Sequence, residues 1–245
     1  MDTETGVVLG IPTLPGWEDY PIRSNLIQRF ELPVYVENDA IASALGEWRH
    51  GAGRGFQNLV YLTVSTGIGG GVVVDGRLLH GRKGLAAHLG HMRLAQHGPQ
   101  CSCGTIGCFE ALASGTALAK RALVASSNQQ PNYLSNLAKK SVIAAEDVFD
   151  GAIAGDTECR LLVEDQAKYL GQGITSLIHL FSPDLVILGG GMSQNFDMLE
   201  AGIHKMIKSD AMEPFKQISV VRSELGGNSG LIGAATLVLD KRTSV

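Results

Sequence analysis

No apolar run in this chain is long enough to span a bilayer; the longest candidates are broken by His179, Ser182 and Asp184. A basic excess is missing too. Twenty Lys and Arg against 24 Asp and Glu leave a net charge of -4, which argues against a dedicated nucleic-acid surface. The start, Met1-Asp2-Thr3-Glu4-Thr5, is acidic and polar, so it is no signal peptide. Cysteine is scarce, four in 245 residues, and no internal repeat is visible. A chain of this length can bury a core without disulfide staples. What remains is the composition of an ordinary globular protein, 44% hydrophobic and 18% charged.

Three of the four cysteines are crowded together. His91 is followed by Cys101, Cys103 and Cys108, the last three within Cys101-Ser102-Cys103-Gly104-Thr105-Ile106-Gly107-Cys108. One imidazole and three thiols form a Cys₃His set, the usual ligand set of a structural zinc ion. Gly104 and Gly107 permit the tight turns that wrap a short loop around one ion. The alternatives are a pair of disulfides or ordinary buried cysteines, but Cys101 and Cys103 are too close to pair easily with each other. Cys159 lies far away in an expected helix and reads as a small buried residue. Thiolates on zinc suit a reducing, cytoplasmic setting.

Short apolar strands alternate with helical patterns, which points to an α/β architecture. Strands are expected at residues 6–9, 34–36, 58–65, 69–74, 77–79, 185–188 and 218–221. Asp75-Gly76 between the fourth and fifth is a two-residue hairpin signal. Helices are expected at 24–30 and 40–48, from Glu110, over 160–181 and from Ser229, with 126–131 a polar loop. Asn38 and Asp39 stand where the cap of the second helix belongs. In the long helix, Leu161, Leu162, Leu170, Ile174, Leu177, Ile178 and Phe181 are spaced for burial.

Two glycine runs suit phosphate chemistry. Thr66-Gly67-Ile68-Gly69-Gly70-Gly71 lies between strands, where backbone N–H groups without a Cβ beside them can approach phosphate oxygens and the Thr66 hydroxyl adds a donor. By itself such a run is more often a plain hairpin. Gly189-Gly190-Gly191 follows a buried strand, a context that suits nucleotide contact. Asp39 follows a strand and opens a helix beside a cleft; from position alone, a helix cap explains it better than catalysis does.

Taken together, Val64-Ser65-Thr66-Gly67-Ile68-Gly69-Gly70-Gly71-Val72, Gly81, Ala87, Gly90, His91 and the upstream Glu37-Asn38-Asp39-Ala40 resemble the signature of the ROK family. These are sugar kinases and sugar-responsive repressors. The cysteine loop looks like that family's zinc motif, and with Gly-rich segments near Gly189 and Gly233 the likeness spans nearly the whole chain. It implies the two-lobed, actin-like ATPase (ribonuclease H-like) fold, with residues 1–50 in the N-terminal lobe and 51–245 in the C-terminal lobe. Members carry a strand and an Asp-x-Gly-x-Thr phosphate turn before the point matching Met1. The expectation is therefore a truncated N-terminal lobe and a poor kinase.

The implied reaction is ATP-dependent phosphorylation of the 6-hydroxyl of an N-acetylhexosamine or hexose, with Mg²⁺ accompanying ATP and zinc structural. The resemblance makes Asp39 the base that accepts the hydroxyl proton. It places Thr13, Asn38, His88, His91 and Glu110 on the sugar. Thr66, Gly67, Gly69, Gly70, Gly189, Gly190 and Gly191 fall on the nucleotide and its phosphates. His91 would bind zinc through one ring nitrogen and donate to sugar through the other. Most members have Glu-x-Gly-His where this chain has His88-Leu89-Gly90-His91. Exchanging an anion for a neutral donor–acceptor changes which hydroxyls are matched, and the histidine form resembles bacterial N-acetylmannosamine kinases. Alternatives are the sugar-sensing effector domain of a ROK repressor and an inactive truncated kinase. A homodimer is expected, without membrane or nucleic-acid partners.

Overall fold

The computed structural model describes residues 1–10, 15–127, 132–138 and 142–243. In chain order the elements are α1 (Ile22–Phe30), α2 (Asp39–His50), β1 (Leu59–Val64), β2 (Ile68–Val74), β3 (Arg77–Leu78), α3 (Phe109–Ala113), α4 (Gly115–Ser126), α5 (Tyr133–Ala138), α6 (Ala145–Ile153), α7 (Thr157–Phe181), β4 (Leu185–Gly189), α8 (Phe196–Asp210), β5 (Ser219–Arg222) and α9 (Ser229–Thr243). The strands form one mixed sheet in the order β3-β2-β1-β4-β5. β1 pairs antiparallel with β2 and parallel with β4, and β5 extends the parallel half.

The apolar runs of β1 and β4 reflect burial on both faces. Side chains alternate across a strand, so Val60, Leu62, Val64, Val186 and Leu188 enter one core with the helices α3, α4, α6, α7 and α8. Leu59, Tyr61, Leu185 and Ile187 enter the other, against Ala44, Leu45 and Trp48 of α2. The expected hairpin is present: Asp75 and Gly76 both take positive φ, 49° and 66°, as the tight two-residue turn requires.

In α7, Leu170, Ile174, Leu177 and Ile178 are buried, each contributing about 1.5–3 kcal/mol of apolar transfer. Leu161 departs from its expected burial, at 52% exposed. It sits one residue, about 100° of helix, away from the buried Leu162. The helix begins before Arg160 because Asp156 accepts the Cys159 N–H at 2.9 Å as its cap.

Two expected strands are not formed. Val7 and Val8 make single bridges to Asp2 and Tyr20, and residues 34–36 belong to no strand, with Tyr35 38% exposed. Their composition favours strands, but a strand needs a neighbour to supply the ladder. None of the five sheet strands lies beside them. The expected loop at 126–131 starts later, since α4 runs through Ser126; residues 128–131 lie outside the described residues.

The helices α2 and α9 cross in backbone contact. Gly46 and Gly233 meet there, and a Cβ on Gly233 would strike the Ala42 carbonyl. Next to Gly46, the fully buried Glu47 carboxylate accepts the N–H groups of Ala52 (3.0 Å), Glu224 (3.2 Å) and Leu225 (2.9 Å). The Ser223 and Ser229 hydroxyls donate to it at 2.5 and 2.9 Å. Burial works to raise this carboxyl, but the donors together outweigh it and hold the group below its ordinary value.

Candidate active site and metal centre

At the start of α2 the cap falls to Asn38. Its Oδ1 accepts the N–H groups of Ala40 (3.0 Å) and Ile41 (3.2 Å). Asp39 is therefore the first helical residue, not the cap. It is exposed, with Oδ1 on the Ala40 N–H at 2.9 Å and Oδ2 without a hydrogen bond among the described residues. The helix N-terminus favours its anion. The same geometry narrows the expectation for Asn38. Its oxygen is committed to the cap, so only its amide N–H₂ stays available to a ligand.

Sequence reasoning missed the support beneath this segment. The Glu37 side chain is 5% exposed; Oε1 accepts the Asn38 N–H at 2.9 Å, and Oε2 lies 2.9 Å from His80 Nε2. Glu37 stood inside the Glu-Asn-Asp-Ala motif without a role. Nothing in local periodicity links it to a histidine 43 residues away.

The first residues of β2 gather the expected sugar residues. A Cβ on Gly69 would lie 2.9 Å from Ala40 Cβ, so α2 rests directly on the strand. Leu89 packs over Gly70, Gly90 lies against the Ile68 carbonyl, and Glu110 Oε2 accepts the Ile68 N–H at 2.9 Å. Asp39, His88, His91 and Glu110 thus converge from separate stretches of chain. The turn expected to hold phosphate is shorter than residues 66–71. Ser65 N–H donates to the Gly67 carbonyl at 2.9 Å, whereas Gly69 and Gly70 are ladder residues paired with Thr63 and Leu62. Their missing side chains serve packing against α2 and Leu89, and they do not belong to the turn. Thr13 lies outside the described residues.

Desolvation, and then the neighbouring His91, hold His88 below the ordinary histidine value, which keeps it neutral at physiological pH. The two rings stand nearly perpendicular, centroids 6.3 Å apart. Glu110 also reaches the cysteine loop, with Oε1 3.3 Å from Ser102 Oγ.

The ligand atoms of His91, Cys101, Cys103 and Cys108 all lie within 4.8 Å of one another. Cys101 Sγ is 3.5 Å from His91 Nδ1, and Cys103 Sγ is 3.7 Å from Cys108 Sγ. A tetrahedron with zinc–sulfur bonds of about 2.3 Å has sulfur–sulfur edges of about 3.8 Å, so the spacing fits. The thiols are unlinked. The Thr105 N–H and hydroxyl draw Cys103 down to about 6, while burial and the adjacent thiols push Cys108 up to about 12. Bringing Cys108 to its thiolate at neutral pH therefore calls for a cation beside it. Nδ1 faces the sulfurs, which leaves Nε2 of His91 for a second partner.

Two adjoining clefts flank the turn. One, about 630 Å³, is lined by Ser65, Thr66, Thr116, Phe149, Gly191 and Asn195. The other, about 770 Å³, lies between Gly67, Ser102, Glu110, Thr116 and Lys120. Of the second glycine run, Gly191 reaches the first cleft. Gly189 pairs with Thr63 inside the sheet, and Gly190, at φ 80°, turns against the Val64 backbone, where no side chain fits.

The family model described as ROK matches residues 2–241. This chain belongs to the ROK family. A glucokinase of Thermotoga maritima is 37% identical over 243 residues, covering 98% of this ROK chain and 77% of that protein. The structure of a Streptomyces griseus ROK glucokinase in complex with glucose and AMPPNP is 36% identical with a TM-score of 0.84, covering 97% and 78%. A xylose repressor of Caldicellulosiruptor bescii is 31% identical, covering 100% of this chain and 61% of the repressor. The expected family, its actin-like ATPase fold and the carbohydrate-kinase class are borne out by these matches. No helix among the described residues is long and apolar enough to cross a membrane.

Proposed function

We propose that this ROK protein catalyses ATP-dependent phosphorylation of the 6-hydroxyl of a hexose or N-acetylhexosamine. The observation that carries this reading is the division of labour at the start of α2. Asn38 takes the cap, which leaves the Asp39 carboxylate exposed with a free oxygen beside the start of β2. In the reaction Asp39 accepts the hydroxyl proton as the sugar oxygen bonds to the terminal phosphorus of ATP and the bond to ADP breaks. The Thr66–Gly67 turn holds phosphate oxygens, Gly191 borders the nucleotide, and Mg²⁺ arrives with ATP. Asn38 Nδ2, His88, His91 Nε2 and Glu110 orient the sugar. His91, Cys101, Cys103 and Cys108 would hold zinc, which shapes the pocket wall and takes no part in the proton transfer.

The sugar is chosen at His88. A neutral ring there supports N-acetyl-D-mannosamine, whereas the glucokinase relatives support glucose. A second reading, a sugar sensor without turnover, draws support from the xylose repressor's likeness. The free Asp39 oxygen favours the kinase. We further read the protein as a cytoplasmic homodimer, which the free thiols and the family resemblance support and size-exclusion chromatography tests. A coupled ATP assay across hexoses and N-acetylhexosamines tests the whole reading. Turnover on at least one sugar is expected, and sugar binding without ADP release would replace it with the sensor.

A further inference from the structure

Phosphoryl transfer concentrates negative charge on the transferring group, and positioned cations are the usual answer to it. The nucleotide-side cleft carries no lysine or arginine in its lining. The adjoining cleft, which shares Thr66 and Thr116 with it, carries one, Lys120. Lys120 lies on α4 four residues after Thr116, so both side chains share a helix face. Helical side chains lean toward the helix N-terminus, which directs Lys120 back over Thr116 toward the turn. That end of α4 is fastened to the turn by the Gly115 N–H, which donates to the Ser65 carbonyl at 2.7 Å. Lys120 is exposed, and among the described residues no carboxylate lies in ion-pair contact with it. It is a cation beside the phosphate turn with its charge uncommitted.

Resting on the kinase reading, we propose that Lys120 contacts the terminal phosphates of the bound nucleotide and stabilises the transferring group. A lysine serves as a point charge on a flexible stem, which suits a group that moves between donor and acceptor. The contact is specific to phosphate. It should touch neither the adenosine end of the nucleotide nor the sugar.

The test compares wild type, Lys120→Gln and Lys120→Arg in the full chain. Affinities for ADP and adenosine are read by calorimetry, and kcat and KM for ATP and sugar by the coupled assay. Losing one charge-assisted contact should weaken ADP binding and lower kcat/KM for ATP roughly 10- to 100-fold. Adenosine affinity, sugar KM and thermal unfolding should stay unchanged, and Lys120→Arg should recover most of the loss. If Lys120→Gln binds ADP and turns over like wild type, the inference is overturned while the kinase reading stands. A folded wild type that neither binds ADP nor turns over any sugar overturns both.

Discussion

Replacing Glu47 by alanine removes the acceptor of five donors at once. The Ser223 and Ser229 hydroxyls can re-pair: they lie 3.3 Å apart, and the Gly226 carbonyl, 2.8 Å from Ser229 Oγ, can accept the Ser229 proton in place of Glu47. The N–H groups of Ala52, Glu224 and Leu225 cannot rotate to new partners. Leaving these three donors unsatisfied in a part-buried site, at about 1–2 kcal/mol each, predicts a loss of about 3–6 kcal/mol. For a chain of this size that lowers Tm by roughly 10 °C. The pH dependence has a definite sign. The folded carboxyl sits below its unfolded value, so its contribution is complete above the unfolded pKa of about 4.3. It is lost as pH falls through the lower, folded value. Urea unfolding of wild type, Glu47→Ala and Glu47→Gln between pH 7 and pH 3.5 is the assay. The gap between wild type and Glu47→Gln should be largest at neutral pH and shrink on acidification. An alanine variant within 1 kcal/mol of wild type, or a gap indifferent to pH, would refute the reasoning.

Elemental analysis should find about one zinc per chain, and chelation or Cys103→Ala should lower both melting temperature and sugar affinity. Metal-free protein that melts and binds sugar unchanged would show the loop folds by itself. His88→Glu should reorder a sugar panel toward glucose, because an anion satisfies a hydroxyl pattern that a neutral ring leaves mispaired. An unaltered ranking would remove His88 from the sugar site.

The sheet was legible because β1, β2 and β4 are built mostly of apolar residues and glycine, Val220 and Val221 mark β5, and the hairpin has its Asp-Gly turn. The cysteine set was legible because its ligands lie close in sequence. Val34–Val36 misled for a physical reason: β-branched residues record a preference for strands, not the presence of a partner. The glycine run at 67–71 carries a second reason that the sequence hides. Gly69 and Gly71 are small because α2 presses on β2 there, and a sequence does not distinguish room for a helix from room for a phosphate. The Glu37–His80 and Glu47 contacts were invisible, since each joins residues brought together only by the complete fold. Asp39 gained most from the structure. Sequence position left it between cap and base, and the Asn38 hydrogen bonds decide who caps.

The most direct test of the account is ATP-dependent sugar turnover by wild type and Asp39→Asn, measured beside sugar affinity on the same preparations. Wild type should phosphorylate a hexose or N-acetylhexosamine. The variant should lose roughly two orders of magnitude or more in kcat, with sugar Kd changed far less, because Asp39 accepts the proton. Near-normal turnover in Asp39→Asn would contradict it, as would a wild type that binds sugar and releases no ADP.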